Sequence, residues 1–235
     1  MITLEQKHID HLYDFVRRHF VPYYDLQTEL VDHLASGIEK LSEEHPGKSF
    51  EQLLDIEFRK FGVHGFEDVV AKRANALSKE YYRLALERVA GYFKWPVILQ
   101  SLFYGVLCYF TLTVIDSQWL PMAFYVFIIA VAIAGVVRLW RQKKQRERKY
   151  SRKWLLQEII FNGGGGGVAI LQLPLQLLLF FVNHGSERIE LLWFRLLVAV
   201  SVVVLFRIVQ VVCWVIPDQI DSILEERYKT YKFSD

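Results

Sequence analysis

The chain has 235 residues, of which 53% are hydrophobic, 15% aromatic and 23% charged, with a formal net charge of +2. That near-neutral total hides a segregation: residues 1–91 carry 12 basic against 16 acidic side chains, a net of −4, whereas residues 141–153 alone carry eight basic side chains against Glu147. An acidic first part excludes duplex nucleic acid as its partner, since that affinity rests on clustered basic side chains neutralising phosphates. The only two cysteines, Cys108 and Cys213, lie in apolar runs, which excludes a disulfide framework or a thiolate metal centre.

The N-terminus, MITLEQKHIDHLYDF, is charged and amphipathic, without the apolar core of a cleavable signal peptide. Residues 1–90 predict a small all-α cytosolic domain of four helices. Thr3 with Gln6 has capping-box spacing and opens a helix to about Phe20, with Leu4, Leu12, Phe15 and Val16 on its apolar side. Pro22 breaks it. Asp25 is the expected N-cap of a second helix whose Leu26, Leu30, Leu34, Ile38 and Leu41 recur at near-helical spacing. Pro46 and Gly47 end that helix. Ser49 with Gln52 forms another capping box before a third, with Phe50, Leu53, Leu54, Phe58 and Phe61 as its stripe. Gly62 and Gly65 bracket a turn, and nothing interrupts the fourth helix before Gly91.

The run PYYDLQTELVDHLASGIEKL, followed by SFEQLLDIEFRKFGVHGFEDVVAKRANALSKEYYRL, resembles the HAAS-type helical domain of bacterial membrane proteins. In that family an amphipathic ELxxHLxxxIE helix is followed by one ending in a Phe-Gly turn, and then by transmembrane spans. The YYDLQxELVDHLA opening is similar to that of Bacteroidetes-like variants. The resemblance covers about residues 1–88 and rests on Asp25, Glu29, His33, Phe61 and Gly62. It implies a signalling role, often beside PadR-type transcription regulators. It brings no catalytic residues with it.

The second half predicts four membrane spans. Residues 97–115, 119–137 and 159–182 carry no charge, and residues 191–216 carry only Arg195 and Arg207. A hydrocarbon core of about 30 Å requires roughly 20 helical residues. With their aromatic flanks the expected spans are about 95–115, 119–140, 157–182 and 191–213, inside a membrane domain 91–216 that is followed by a cytosolic tail, 217–235. Asp116, Ser117 and Gln118 join the first pair, and residues 183–190 join the second. The basic segment between the pairs belongs in the cytoplasm, which places both termini there too. The expected location is the bacterial inner membrane, multi-pass. The same basic segment is attractive to anionic lipid.

Several residues invite a functional reading. Glu29 and His33 share a helix face at metal-ligand spacing, and His8 and His11 lie one turn apart, but no further ligand cluster supports a metal site. A solvated face or an interhelical hydrogen bond is the plainer reading. Gly163 and Gly167, in the tract 163–167, have the spacing that lets membrane helices approach closely; the tract can instead unwind to line a cavity with Asn162 and Gln172. Pro174 kinks the same helix. Arg207 is the one charge placed deep in the apolar half, with Glu158 as the nearest acidic candidate partner. The plainer reading is that Arg207 lies within a turn of the inner boundary and snorkels out, as Arg195 does at the other end.

The sequence therefore predicts a membrane-anchored signalling or regulatory protein that binds a cytosolic protein, with a transcription regulator as the candidate partner. No catalytic, cofactor or metal site is expected, nor direct nucleic-acid binding; self-association is left open. The first alternative is a small transporter or channel component using the glycine tract, Gln172, Gln176 and Arg207 as a polar path. The second is a membrane enzyme.

Overall fold

The computed structural model describes residues 4–115, 117, 119–150, 152–162, 169–184 and 192–227, with the side chains of 169, 170, 184, 226 and 227 excepted. Its elements there are α1 (Gln6–Arg18), α2 (Tyr24–Glu44), α3 (Phe50–Arg59), α4 (Glu67–Gly91), α5 (Ile98–Val114), α6 (Leu120–Lys149), α7 (Leu155–Phe161), α8 (Ala169–His184) and α9 (Leu192–Gln210). A π-helical turn, Val211–Val215, leads on to α10 (Ile216–Asp218) and α11 (Ile220–Arg227). Among the described residues the fold is all-α, and the one extended pairing is an isolated parallel bridge between Tyr23 and Lys153. Contacts divide the chain into two units: Met1–Leu77 with Tyr150–Glu158, and Ser78–Lys149 with Ile159–Asp235.

The first unit is built on amphipathic stripes. Leu12 and Val16 of α1, Leu26, Leu30, Leu34 and Ile38 of α2, and Leu53 and Leu54 of α3 are all buried. Each such side chain stabilises the fold by about 1.5–3 kcal/mol relative to exposure. Phe58, Phe61 and Phe66 close one end, with ring centroids 5.0 Å (Phe58–Phe66) and 4.8 Å (Phe61–Phe66) apart. The turn that brings Phe61 and Phe66 together uses Gly62 at φ 81° and Gly65 at φ 54°, a conformation that side chains disfavour. Where α2 crosses α3, a Cβ at Gly37 would sit 2.2 Å from Cδ of Glu57. A side chain at Gly37 would displace that buried carboxylate, which accepts a 2.6 Å bond from Lys60.

Two helix starts differ from expectation. The N-cap of α1 is Glu5, in a box closed by His8, whose Nδ1 accepts from the Glu5 N–H at 3.1 Å; Thr3 lies outside the described residues. The N-cap of α2 is Tyr23, and Asp25 falls in the first turn. The reason is segment Tyr150–Glu158, which belongs to this unit. The Tyr24 N–H donates to the Lys153 carbonyl at 2.8 Å, and the Leu155 N–H donates to Asp25 Oδ1 at 3.3 Å. Asp25 is thus committed to a chain segment far away in sequence.

The second unit is apolar outside as well as inside. Leu120–Lys149 and Leu192–Asp218 are long and apolar enough to cross a membrane, at 30 and 27 residues; Ile98–Val114 and Leu171–Asn183 are apolar but shorter. Phe103, Val106 and Phe110 of α5, Val126 and Phe127 of α6, and Leu196, Leu197 and Val200 of α9 are all exposed. Outward apolar faces of this extent mark a surface meant for lipid or protein. The inward face of α6 carries Tyr125, Ile128, Ala132, Gly135 and Leu139. The basic segment, expected to lie beyond a span ending near residue 140, continues α6 as helix as far as Lys149. Its Arg, Gln, Lys and Glu are all good helix formers, and basic residues at a helix C-terminus are favoured by the dipole.

Candidate functional site

Arg207 is the most unusual side chain of the second unit. It sits in the last turn of α9, against the first turn of α5, and is 1% exposed. Its Nε donates to Ser101 Oγ at 3.3 Å, Nη1 to Gln210 Oε1 at 2.8 Å, and Nη2 to Gln100 Oε1 at 3.1 Å. The guanidinium lies 4.4 Å from the centroid of the Tyr92 ring and 5.3 Å from that of Tyr104. Ser101 is fixed in turn by donating to the Tyr92 carbonyl at 3.0 Å. The expectation that Arg207 snorkels into water is corrected: neutral oxygens and two tyrosine faces enclose it, a solution open to a planar cation in a low-dielectric site. Among the described residues of the second unit no carboxylate reaches it; Glu158, the partner considered from sequence, belongs to the first unit.

A second cluster ties α6 to the end of the chain. Pro217 has no N–H to offer the carbonyl four residues back, that of Cys213. Arg138 Nη1 donates to that carbonyl at 3.0 Å, while its Nη2 donates to Asp218 at 2.7 Å. Two turns on, Arg146 pairs with Asp221 at 2.7 Å. Part of the basic segment is therefore structural. Sequence reasoning missed this latch, although Pro217 beside Asp218, after a long apolar helix, was a visible signal for it.

The grooves of the two units differ in kind. In the second, one of about 280 Å³ runs between α5 and α9 past Ser101, Gly105 and Val203, and one of about 640 Å³ runs between α5, α6 and α9 past Tyr104, Cys108 and Phe206. In the first, a cleft of about 580 Å³ is lined by His19, Phe58, His64, Phe66 and Val70. Its rim carries Phe20, 93% exposed and held at φ 62°, and Val63, fully exposed. A bulky side chain in that left-handed region costs energy. A wider groove of about 960 Å³ runs past Asp10, Asp14, Arg17, Tyr24, Arg152 and Lys153. Burial pushes the phenol of Tyr13, on the same groove, above its ordinary range even though it donates to Thr28.

The remaining sequence candidates fall as follows. Glu29 lies 3.8 Å from Arg73, and His33 sits edge-on to Phe61 at 5.5 Å. His8 stacks on Phe50 at 4.6 Å, and His11 lies 3.4 Å from Glu51. Among the described residues no three ligating side chains converge on a metal position. Gly163 and Gly167 lie outside the described residues. Among the described residues a close helix approach is seen at Gly135, where a Cβ would come within 2.6 Å of Cys213 Cβ.

Fold and geometry together define an all-helical protein with two helices fit to cross a membrane and, inside one of them, a buried arginine that no carboxylate reaches among the described residues. Comparison with known proteins adds no relative: no family model matches, and neither curated proteins nor solved structures give a match.

Proposed function

We propose that this chain is a multi-pass inner-membrane protein of the signalling class, in which an N-terminal helical domain of the HAAS type binds a cytosolic protein and four apolar helices anchor it. The observation that carries the reading is the docking of Tyr150–Glu158 on the first unit. Trp154, Leu155 and Leu156 are buried there, and the Arg152 guanidinium lies 4.3 Å from the Tyr24 ring centroid. A domain that captures the basic connection between the second and third apolar helices has to lie on the same side of the membrane as that connection. Short Lys- and Arg-rich connections remain in the cytoplasm, so the N-terminus is cytosolic, and with an even number of spans the C-terminus is too. Reporter fusions after Gln118 and after Tyr150 test this. A periplasmic signal from the Tyr150 fusion would reverse the topology.

The recognition surface is the cleft rimmed by Phe20 and Val63. Its occupant is an apolar side chain of a cytosolic protein with a basic surface, matched to the net negative charge of residues 1–91. A transcription regulator fits that description. The grooves of the second unit are lined by apolar side chains and Arg207 is held by neutral groups, which favours anchoring over a polar transport path. Co-purification from native membranes is the test. Phe20→Asp with Val63→Asp should reduce the partner retained by at least about tenfold, the loss of about 1.4 kcal/mol or more expected for a central apolar anchor, with membrane insertion unchanged. Undiminished capture by that variant would move the binding site elsewhere.

A further inference from the structure

The arginine cage has the chemistry of a lipid-headgroup site. A guanidinium has five N–H donors and stays ionised at any physiological pH. Three of those of Arg207 have acceptors, all neutral, which leaves two donors and a full positive charge without a counter-ion among the described residues. A buried charge in that condition is costly unless an opposite charge joins it. The cage is closed on one side by Gln100 and Tyr104, both themselves exposed, so the guanidinium is one side-chain rotation from the surface. It lies against the first turn of α5, just after the exposed Trp95, an aromatic of the kind that favours the membrane interface. The groove between α5 and α9 is lined by Ser101, a member of the cage, and by apolar side chains on either side of Gly105.

We propose that this cage binds the phosphate of an anionic phospholipid of the inner leaflet, with one acyl chain lying in the groove past Gly105. The Gln100 carboxamide is the placeholder. A phosphate oxygen replaces Gln100 Oε1 on Nη2 of Arg207, and the Tyr104 hydroxyl donates to the phosphate. The inference rests on the membrane reading above.

The test uses the full-length protein in uncharged detergent, with phosphatidylglycerol or phosphatidylcholine of identical acyl chains, or with inorganic phosphate. Bound lipid is read by native mass spectrometry and the thermal midpoint by unfolding. Phosphatidylglycerol should be retained about fivefold more tightly than phosphatidylcholine, the effect of one basic side chain on an acidic lipid. Inorganic phosphate should not raise the midpoint. Arg207→Gln should abolish the discrimination, whereas Gly105→Leu should weaken both lipids and preserve it. Gln100→Ala, at an exposed position, should tighten phosphatidylglycerol, and it decides the matter if Arg207→Gln does not fold. Equal retention of the two lipids by the unaltered protein, discrimination that survives Arg207→Gln, or no change on Gln100→Ala would each overturn the site. A midpoint raised equally by inorganic phosphate would make it a site for a soluble anion instead. Failure here with the fusions and partner capture intact removes the lipid site alone, whereas a reversed topology removes the membrane reading beneath it.

Discussion

Gly135 is a position at which the second unit cannot take an added side chain without a shift. A Cβ there would lie 2.6 Å from Cys213 Cβ, 2.7 Å from its Sγ and 3.0 Å from Cζ3 of Trp214. The first of these is anchored to backbone and cannot swing aside, so α6 would have to move away from the π-helical turn. Overpacking of this kind costs about 1–3 kcal/mol, and small residues at membrane helix contacts exist to avoid it. Gly135→Ala should therefore lower the thermal midpoint of the detergent-solubilised protein. Gly105→Ala is the control, because its Cβ would meet Val203 Cγ2 at an ordinary 3.9 Å. Equal midpoints for the two variants would show that the π-turn yields without cost.

At the scale of elements, the π-turn and Pro217 form one device with Arg138. The proline withdraws a donor from the Cys213 carbonyl, and the arginine of another helix supplies one at 3.0 Å. Removing a partner from a buried carbonyl costs about 1–3 kcal/mol. Arg138→Ala should destabilise the protein by that amount, and Pro217→Ala in the same chain should recover part of it by restoring the backbone N–H. A double variant no better than the single one would show that Arg138 acts only through Asp218. This element also shows where the sequence stops being legible. Apolar runs, the Ser49–Gln52 cap and the Phe-Gly turn are local signals, and the helices follow them. The α2 start and the burial of Arg207 depend on partners 130 and 107 residues away. No local spacing encodes those. The expectation that Arg207 snorkels weighed only its distance from the span end, whereas Gln100, Ser101 and two tyrosines at the start of α5 made burial possible.

For the whole molecule, the chain order and the unit order differ. Tyr150–Glu158 leaves the apolar half to complete the first unit. A fragment of residues 1–88 therefore lacks Trp154, Leu155 and Leu156, which are buried in the intact chain, and leaves Asp25 without the Leu155 N–H. The fragment should still be helical, since its core leucines come from α1, α2 and α3. It should melt below the same fragment carrying residues 150–158 through a flexible linker. A free peptide of residues 150–158 should bind the fragment and raise its midpoint with concentration, as any ligand of the folded state does. Residues 1–88 contain no tryptophan, so Trp154 of the peptide reports the event by itself. Its emission should shift to shorter wavelength on binding, and Asp25→Ala in the fragment should weaken the shift. A midpoint and an emission spectrum that ignore the peptide at every concentration would mean that Tyr150–Glu158 is held only by its covalent connections. The link between head and basic segment on which the topology rests would then be lost.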